Sequence, residues 1–186
     1  EQSDGIGIDL GLKEFLFSSD GESVANMSKS NKIKKLEKSL KRQQRKLSRK
    51  VKGSENFKKQ KLSIQRLHRR LKNIKNEIKR KTVLSIIKKN PQYITIENLN
   101  IKGMLKNRKL SNAFQQIGLG YFTDWLKVKC NEYGIELRQV SRWYPSSQIC
   151  SCCGSRKSMP LSVRVYKCEN CGLEMDRDLN ASINLK

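Results

Sequence analysis

The chain is 186 residues long, with 40 Lys and Arg against 17 Asp and Glu and a net charge of +23 at neutral pH. That length allows one ordinary domain with a small satellite, and that charge makes a polyanion, nucleic acid first, the default partner. No apolar run approaches the roughly 20 residues that span a bilayer, and the acidic start Glu1-Gln2-Ser3-Asp4 is not a secretory signal, so a membrane protein and a secreted enzyme both fit poorly.

Gly5 to Gly11 reads as a strand ending in a turn, Glu14 to Phe17 as a second strand, and Ser23 to Met27 as a third. The Asp20-Gly21 pair supplies hairpin chemistry between the last two. The chain therefore opens as a three-stranded antiparallel meander. Residues 29–90 follow with 25 of the 40 basic residues and 3 of the 17 acids, so this segment carries +22 and the rest only +1. Its apolar residues change to helical spacing: Ile33, Leu36, Leu40 and Leu47, then Leu67, Leu71, Ile74 and Ile78. Gln43 fills the gap in the first stripe, and Gly53-Ser54-Glu55-Asn56 separates the two. Two long helices in an antiparallel hairpin explain this pattern. Such a hairpin is either a solvated coiled-coil arm or a face for phosphates. The second reading is favoured because a merely soluble helix mixes its charge signs. The candidate nucleic-acid contacts are Lys41, Arg42, Arg45, Lys46, Arg49, Arg66, Arg69 and Arg70. The single histidine, His68, lies among them and reads as a surface residue and not a base.

After Pro91, Tyr93-Ile94-Thr95-Ile96-Glu97 reads as a buried strand ending in a carboxylate. Residues 100–113 are polar and basic and are expected to form a loop. Phe114, Ile117, Phe122, Trp125, Leu126 and Tyr133 mark one amphipathic helix, Ile135 to Val140 a further strand, and the segment from Asp176 a last helix. Strands followed by alternating helices and strands predict an α/β fold with a mixed sheet covered by helices.

Six cysteines carry a second signal. Cys150-x-x-Cys153 and Cys168-x-x-Cys171 are two pairs, each followed by a glycine (Gly154, Gly172) suited to a tight knuckle. Structural Zn²⁺ takes four such thiolates in a tetrahedron. Cys130, on the amphipathic helix, reads as a core thiol, and Cys152 could replace a neighbouring cysteine, but only Cys150 gives the two-residue spacing. Arg156, Lys157, Arg164 and Lys167 give the expected ribbon a basic surface, and Arg156 and Lys157 join the candidate nucleic-acid contacts. Three acids, Asp9, Glu97 and Asp178, stand at the ends of predicted elements. Each alone could be a turn former or a helix cap. Together, in so basic a chain, they suit divalent-metal phosphodiester chemistry, for which hard Mg²⁺ takes carboxylate oxygens.

The motif order Gly7-Ile8-Asp9-Leu10-Gly11, Ile96-Glu97-Asn98-Leu99, Ser146-Ser147-Gln148-x-Cys150-x-x-Cys153-Gly154, Cys168-x-x-Cys171-Gly172 and Asp176-Arg177-Asp178-Leu179-Asn180-Ala181 resembles the C-terminal nuclease half of the TnpB/OrfB family. These are RNA-guided nucleases of insertion sequences, often labelled transposases, and are similar to the ancestors of type V CRISPR effectors. The resemblance implies an RNase H-like (RuvC-like) mixed sheet with a long basic helical-hairpin insertion and a zinc-ribbon insertion. Its implied parts are RuvC-like 1–28, hairpin 29–90, RuvC-like 91–145, zinc ribbon 146–174 and RuvC-like 175–186. By position, it implies that Asp9, Glu97 and Asp178 are catalytic and bind two Mg²⁺ or Mn²⁺ ions, and that the ribbon binds target nucleic acid. The implied reaction is in-line hydrolysis of DNA leaving a 5′-phosphate and a 3′-hydroxyl. DNA is the implied target, with a guide RNA for the full-length protein and a location in the prokaryotic cytoplasm, at the nucleoid. The guide-binding N-terminal half of the family precedes the position of Asp9 and is not in these 186 residues. The alternatives are a non-catalytic nucleic-acid-binding or repressor-like derivative of the same element, and strand transfer in place of cutting.

Overall fold

The computed structural model describes residues 3–108, 110–160 and 162–186. Glu1 and Gln2 of the acidic start, Lys109 of the polar stretch and Leu161 of the expected ribbon lie outside them. The chain divides into two compact units: residues up to Asn26 with Thr82–Lys186, and Met27–Lys81.

The first unit is built on a five-stranded sheet in the order β3-β2-β1-β4-β5. Its strands are β1 (Ile6–Leu10), β2 (Glu14–Ser18), β3 (Ser23–Ala25), β4 (Tyr93–Glu97) and β5 (Glu136–Val140). The meander is antiparallel, Asp9 facing Phe17 and Leu16 facing Val24. Gly21 turns its hairpin at φ 87°. β3 stops at Ala25, two residues short of the expected Met27, which begins a single 3-10 turn. On its other side β1 pairs parallel with β4, and β4 parallel with β5, which sets Ile8 beside Ile96 and Glu97 beside Val140. Parallel neighbours need long crossovers, and the chain supplies one between β1 and β4 and another between β4 and β5. Ile8, Ile94 and Ile96 are completely buried, and Thr95, on the opposite face of β4 from Ile94 and Ile96, is buried too, so that strand is covered on both faces.

The expected loop at 100–113 is a pair of short helices, α3 (Ile101–Lys106) and α4 (Ser111–Ile117). Asn100 starts α3 by accepting the Gly103 amide at 3.0 Å, a side-chain cap that offsets a weak apolar pattern. The single amphipathic helix expected from Phe114 is broken at Gly118, whose φ of 64° is left-handed. The remainder is α5 (Leu119–Tyr133), ended by Gly134 at φ 66°. α5 buries Phe122 edge-on against Phe15 of β2, with ring centroids 5.0 Å apart. α6 (Arg177–Leu185) crosses β1 so closely that a Cβ on Gly7 would lie 2.0 Å from the Ser182 carbonyl oxygen. Between β5 and α6 lies a small two-stranded antiparallel sheet of β6 (Val165–Lys167) and β7 (Glu174–Asp176).

The second unit is a helical hairpin. α1 (Asn31–Ser48) is capped by the Ser30 hydroxyl, and α2 starts at Glu55 and runs as one helix to Ile87. Gly53, at φ 85°, makes the turn between them. Two polar contacts fix an antiparallel register: Gln60 Nε2 donates to Gln43 Oε1 at 2.8 Å, and Lys75 Nζ to Glu37 Oε1 at 3.0 Å. Gln43, the polar interruption in the first apolar stripe, thus faces a second glutamine. The seam is thin: Ile33, Ile64 and Leu71 are buried, while Leu36, Leu40, Leu47 and Leu67 are half-exposed. No helix of the described residues is long and apolar enough to cross a membrane.

Candidate active site and metal centre

The sheet places the three acids of the sequence reading on neighbouring elements. Asp9 is the fourth residue of β1 and Glu97 the last of β4, at the carboxyl ends of two parallel strands. Asp178 is in the first turn of α6. The tight passage of α6 over Gly7 is what delivers that turn to the end of β1. All three side chains are half-buried. Their proximity registers in the ionisation of Asp9. Burial, then the charges of Glu97 and Asp178, push its carboxyl up to about 7, against the lesser pull of Arg177 and the Leu10 amide. Asp178 is likewise raised, by burial and by Asp176, with Arg164, Arg177 and Lys13 opposing. A carboxyl raised by burial and by neighbouring carboxylates is a common arrangement where a cation or a proton is to be held.

Asp176, two residues before Asp178, is the helix cap: its Oδ1 accepts the amides of Asp178 at 2.8 Å and Leu179 at 3.3 Å. The Asp178 carboxylate is thereby left for other work, with the Arg164 guanidinium 3.7 Å away. Glu97 is held by Ser146, a buried residue whose hydroxyl donates to Oε1 at 2.7 Å.

The four paired cysteines converge. Their sulfurs all lie within 4.8 Å of one another, and among the described residues they are the one cluster of His, Cys, Asp or Glu so compact. Asp9, Glu97 and Asp178 are close enough to interact electrostatically but form no such cluster. Sγ of Cys150 is 3.6 Å from that of Cys171, and Cys153 is 3.6 Å from Cys168. Tetrahedral Zn²⁺ with bonds of about 2.3 Å needs sulfurs about 3.8 Å apart, so this donor set fits zinc. The two knuckles are built alike. Gly154 N donates to Cys150 O and Gly172 N to Cys168 O, with both glycines at positive φ, 72° and 75°. Hydrogen bonds from Asn170 and Ser155 hold the Cys153 thiol down to about 5, favouring the thiolate that a metal requires. Cys130 is buried and pushed up to about 11, as suits a core thiol, and Cys152 is exposed outside the cluster.

α6 is tied to this four-cysteine unit by side chains that sequence reasoning left without a role. Asn180 is fully buried; its Nδ2 donates to Ile149 O at 2.7 Å and its Oδ1 accepts Ser151 N at 3.0 Å. Asn184 Nδ2 donates to Ser146 O and Ile149 O, each at 2.7 Å. Arg177 is buried and donates to Pro160 O at 2.8 Å and Ser147 Oγ at 3.0 Å. The signal was present in the Ser-Ser-Gln and Asp-Arg-Asp-x-Asn-Ala runs, but sequence gives no partner for a polar side chain.

Of the basic residues singled out, Lys41, Arg42, Arg45, Lys46, Arg49, Arg66, Arg69 and Arg70 are exposed, as is His68. Arg42, Arg45, Lys46 and Arg49 share one face of α1 by their spacing. Arg66, Arg69 and Arg70 line a recess of about 350 Å³ together with Lys32. Arg156 is exposed, whereas Lys157 is already paired with Glu169.

Residues 1–108 match the family model OrfB IS605, described as "Probable transposase", and residues 120–185 match "Cas12f1-like, TNB domain". Two similar curated proteins carry the name "Putative RNA-guided DNA endonuclease". One, from Streptomyces pristinaespiralis, is 35% identical over 97% of this chain and 44% of its own length. The other, InsQ of Escherichia coli K12, is 32% identical over 97% of this chain and 48% of its own. The chain thus spans less than half of the relatives it matches. Among solved structures, a Cas12f1–sgRNA–target DNA complex superposes with a TM-score of 0.64 at 20% identity, over 97% of this chain and 48% of that one. The likeness extends the shared mixed α/β fold over nearly the whole sequence.

Proposed function

The chain belongs to the OrfB/IS605 (TnpB-like) family, and on that premise we propose that it forms the metal-dependent DNA endonuclease core of a TnpB-like RNA-guided nuclease. The observation that carries this reading is the placement of Asp9 and Glu97 at the carboxyl ends of the paired parallel strands β1 and β4, with Asp178 in the first turn of α6. A basic protein that only bound nucleic acid would gain nothing from gathering three acids there. Hard carboxylate oxygens and mutual repulsion fit Mg²⁺ or Mn²⁺. When bound, a pair of such ions supplies the charge that stabilises phosphodiester hydrolysis. The chain's own part is to hold the donors: β1 and β4 fix Asp9 and Glu97 side by side, Ser146 orients Glu97, and α6 presents Asp178. In this reading the sheet is RuvC-like, of the RNase H class, in three parts: 1–28, 91–145 and 175–186.

Cys150, Cys153, Cys168 and Cys171 would hold one structural Zn²⁺ in a ribbon over residues 146–174 that contacts target nucleic acid, Arg156 included. The hairpin insertion, 29–90, would lie along phosphates of RNA or of a guide–target duplex. Guide RNA, target DNA and a place at the nucleoid in the cytoplasm belong to the longer protein in this reading. The test is cleavage of single-stranded DNA in Mg²⁺ and Mn²⁺ by the parent chain and by Asp178→Ala. The expected result is cutting by the parent, with a 5′-phosphate product, and none by the variant. Equal cutting by both would overturn the assignment, joined products would indicate strand transfer, and tight binding without cutting would favour a non-catalytic derivative.

A further inference from the structure

Beside Glu97 lies a cavity of about 500 Å³, within the ~300–1,000 Å³ range of sites that enclose organic ligands. Its apolar wall includes Leu99, Met104 and Phe114, and Arg142 and Trp143 stand at its edge. Trp143 is 85% exposed, the most open large apolar side chain among the described residues. An indole so placed covers no core. The backbone that carries it is nevertheless fixed relative to Glu97, because the chain is pinned to that residue on both sides of it. Before it, Val140 pairs with Glu97 in the sheet, and Asn98 N donates to Val140 O at 2.9 Å. After it, Ser146 donates to the Glu97 carboxylate at 2.7 Å. The turn between is itself braced: Trp143 N donates to Ser141 Oγ at 3.3 Å and Tyr144 N to Ser141 O at 2.9 Å. Tyr144 is anchored at its other end, its hydroxyl donating to Asn184 O at 3.1 Å.

We infer that this cavity is a nucleobase subsite, in which a base of the strand lying over Asp9 and Glu97 stacks on Trp143 with its phosphate toward Arg142. The ligand class follows from three features together. An aromatic face held open to solvent is what base stacking uses. An apolar wall accepts a planar ring of any sequence, and the guanidinium of Arg142, which lines the same cavity, answers the phosphate that such a ring carries. The location at the carboxyl ends of β4 and β5 is where open sheets with parallel strands take ligands. This inference rests on the nuclease reading for its orientation but not for its ligand, since stacking can be measured without cleavage.

The experiment uses the 186-residue chain without added Mg²⁺ and reads tryptophan emission during titration with oligo(dT), and separately with polyphosphate of matching charge. Subtracting the Trp143→Phe variant isolates Trp143 from Trp125. The subsite predicts that oligo(dT) quenches the Trp143 emission and polyphosphate does not, and that Trp143→Ala weakens oligo(dT) binding about tenfold or more while Trp143→Phe restores most of it. Quenching equal with both polyanions would overturn the proposal, because charge alone would then explain it. So would binding and Mg²⁺-dependent cutting of oligo(dT) with unchanged Trp143 emission, which would leave the nuclease reading intact. Selective quenching in a protein that never cuts would support the subsite and sink the nuclease reading instead.

Discussion

Replacing Asp9 by Asn should make the metal-free protein more stable, and increasingly so as pH rises. Burial and two neighbouring carboxylates lift the Asp9 carboxyl from 3.8 to about 7. The unfolded chain therefore loses this proton near pH 4, the folded chain only near pH 7. Stability associated with the protonated group is complete below pH 4 and is lost progressively as pH rises to 7. At about 1.4 kcal/mol per pH unit, the full loss is about 4 kcal/mol. Asparagine mimics the protonated acid and suffers none of it. The variant should thus exceed the parent by about 2 kcal/mol at pH 5.5 and about 4 kcal/mol at pH 8. In a chain of this size each kcal/mol moves the melting temperature by about 2–4 °C. Calorimetry on zinc-loaded protein without added Mg²⁺ should therefore record a gap that roughly doubles between the two pH values. Adding Mg²⁺ should close much of it by stabilising the parent. A gap independent of pH, or a parent more stable than the variant at pH 8, would refute the electrostatic picture of this site.

Three further outcomes are expected. Cys168→Ser should lose the bound Zn²⁺ and melt the two knuckles, since metal binding there is folding energy of about 10 kcal/mol or more; metal analysis that still finds one zinc per chain would contradict the four-cysteine site. Replacing Arg42, Arg45 and Arg49 together by Ala should lower the slope of log K against log salt for duplex binding by about 3, at ~0.9 per phosphate contact, and an unchanged slope would mean that this face of α1 meets only solvent. Asn180→Ala leaves the Ile149 carbonyl and the Ser151 amide without their partner, so chemical denaturation should show a loss of about 2–4 kcal/mol, together with faster zinc release to a chelator.

Much of this was legible in the chain because the relevant signals are local. The antiparallel meander follows from Asp20-Gly21 and flanking apolar runs, the hairpin from two stripes at helical spacing, and the convergence of four cysteines from two pairs, each two residues apart with a glycine behind it. What escaped was set by partners far away in sequence. Asn100 turns a polar stretch into the start of α3, and Gly118 breaks a helix whose apolar pattern runs through it. The acids illustrate both cases. Asp9 and Glu97 stand where their strands end, but only the pairing of β1 with β4 brings them side by side. Asp176 and Asp178 stand two residues apart at the start of one helix, and composition alone does not say which of them caps it. Their difference is that one carboxylate turns back to cap its own helix and the other does not.

The passage of α6 over β1 has a consequence in time. Asp9, Glu97 and Asp178 are made in that order, with 80 residues of chain between the second and the third. At about 5–20 residues per second of synthesis, roughly 4 to 16 s pass in which the nascent sheet holds two of its acids and lacks the third. The three acids therefore come together only after the helix carrying Asp178 has been made and has closed over Gly7.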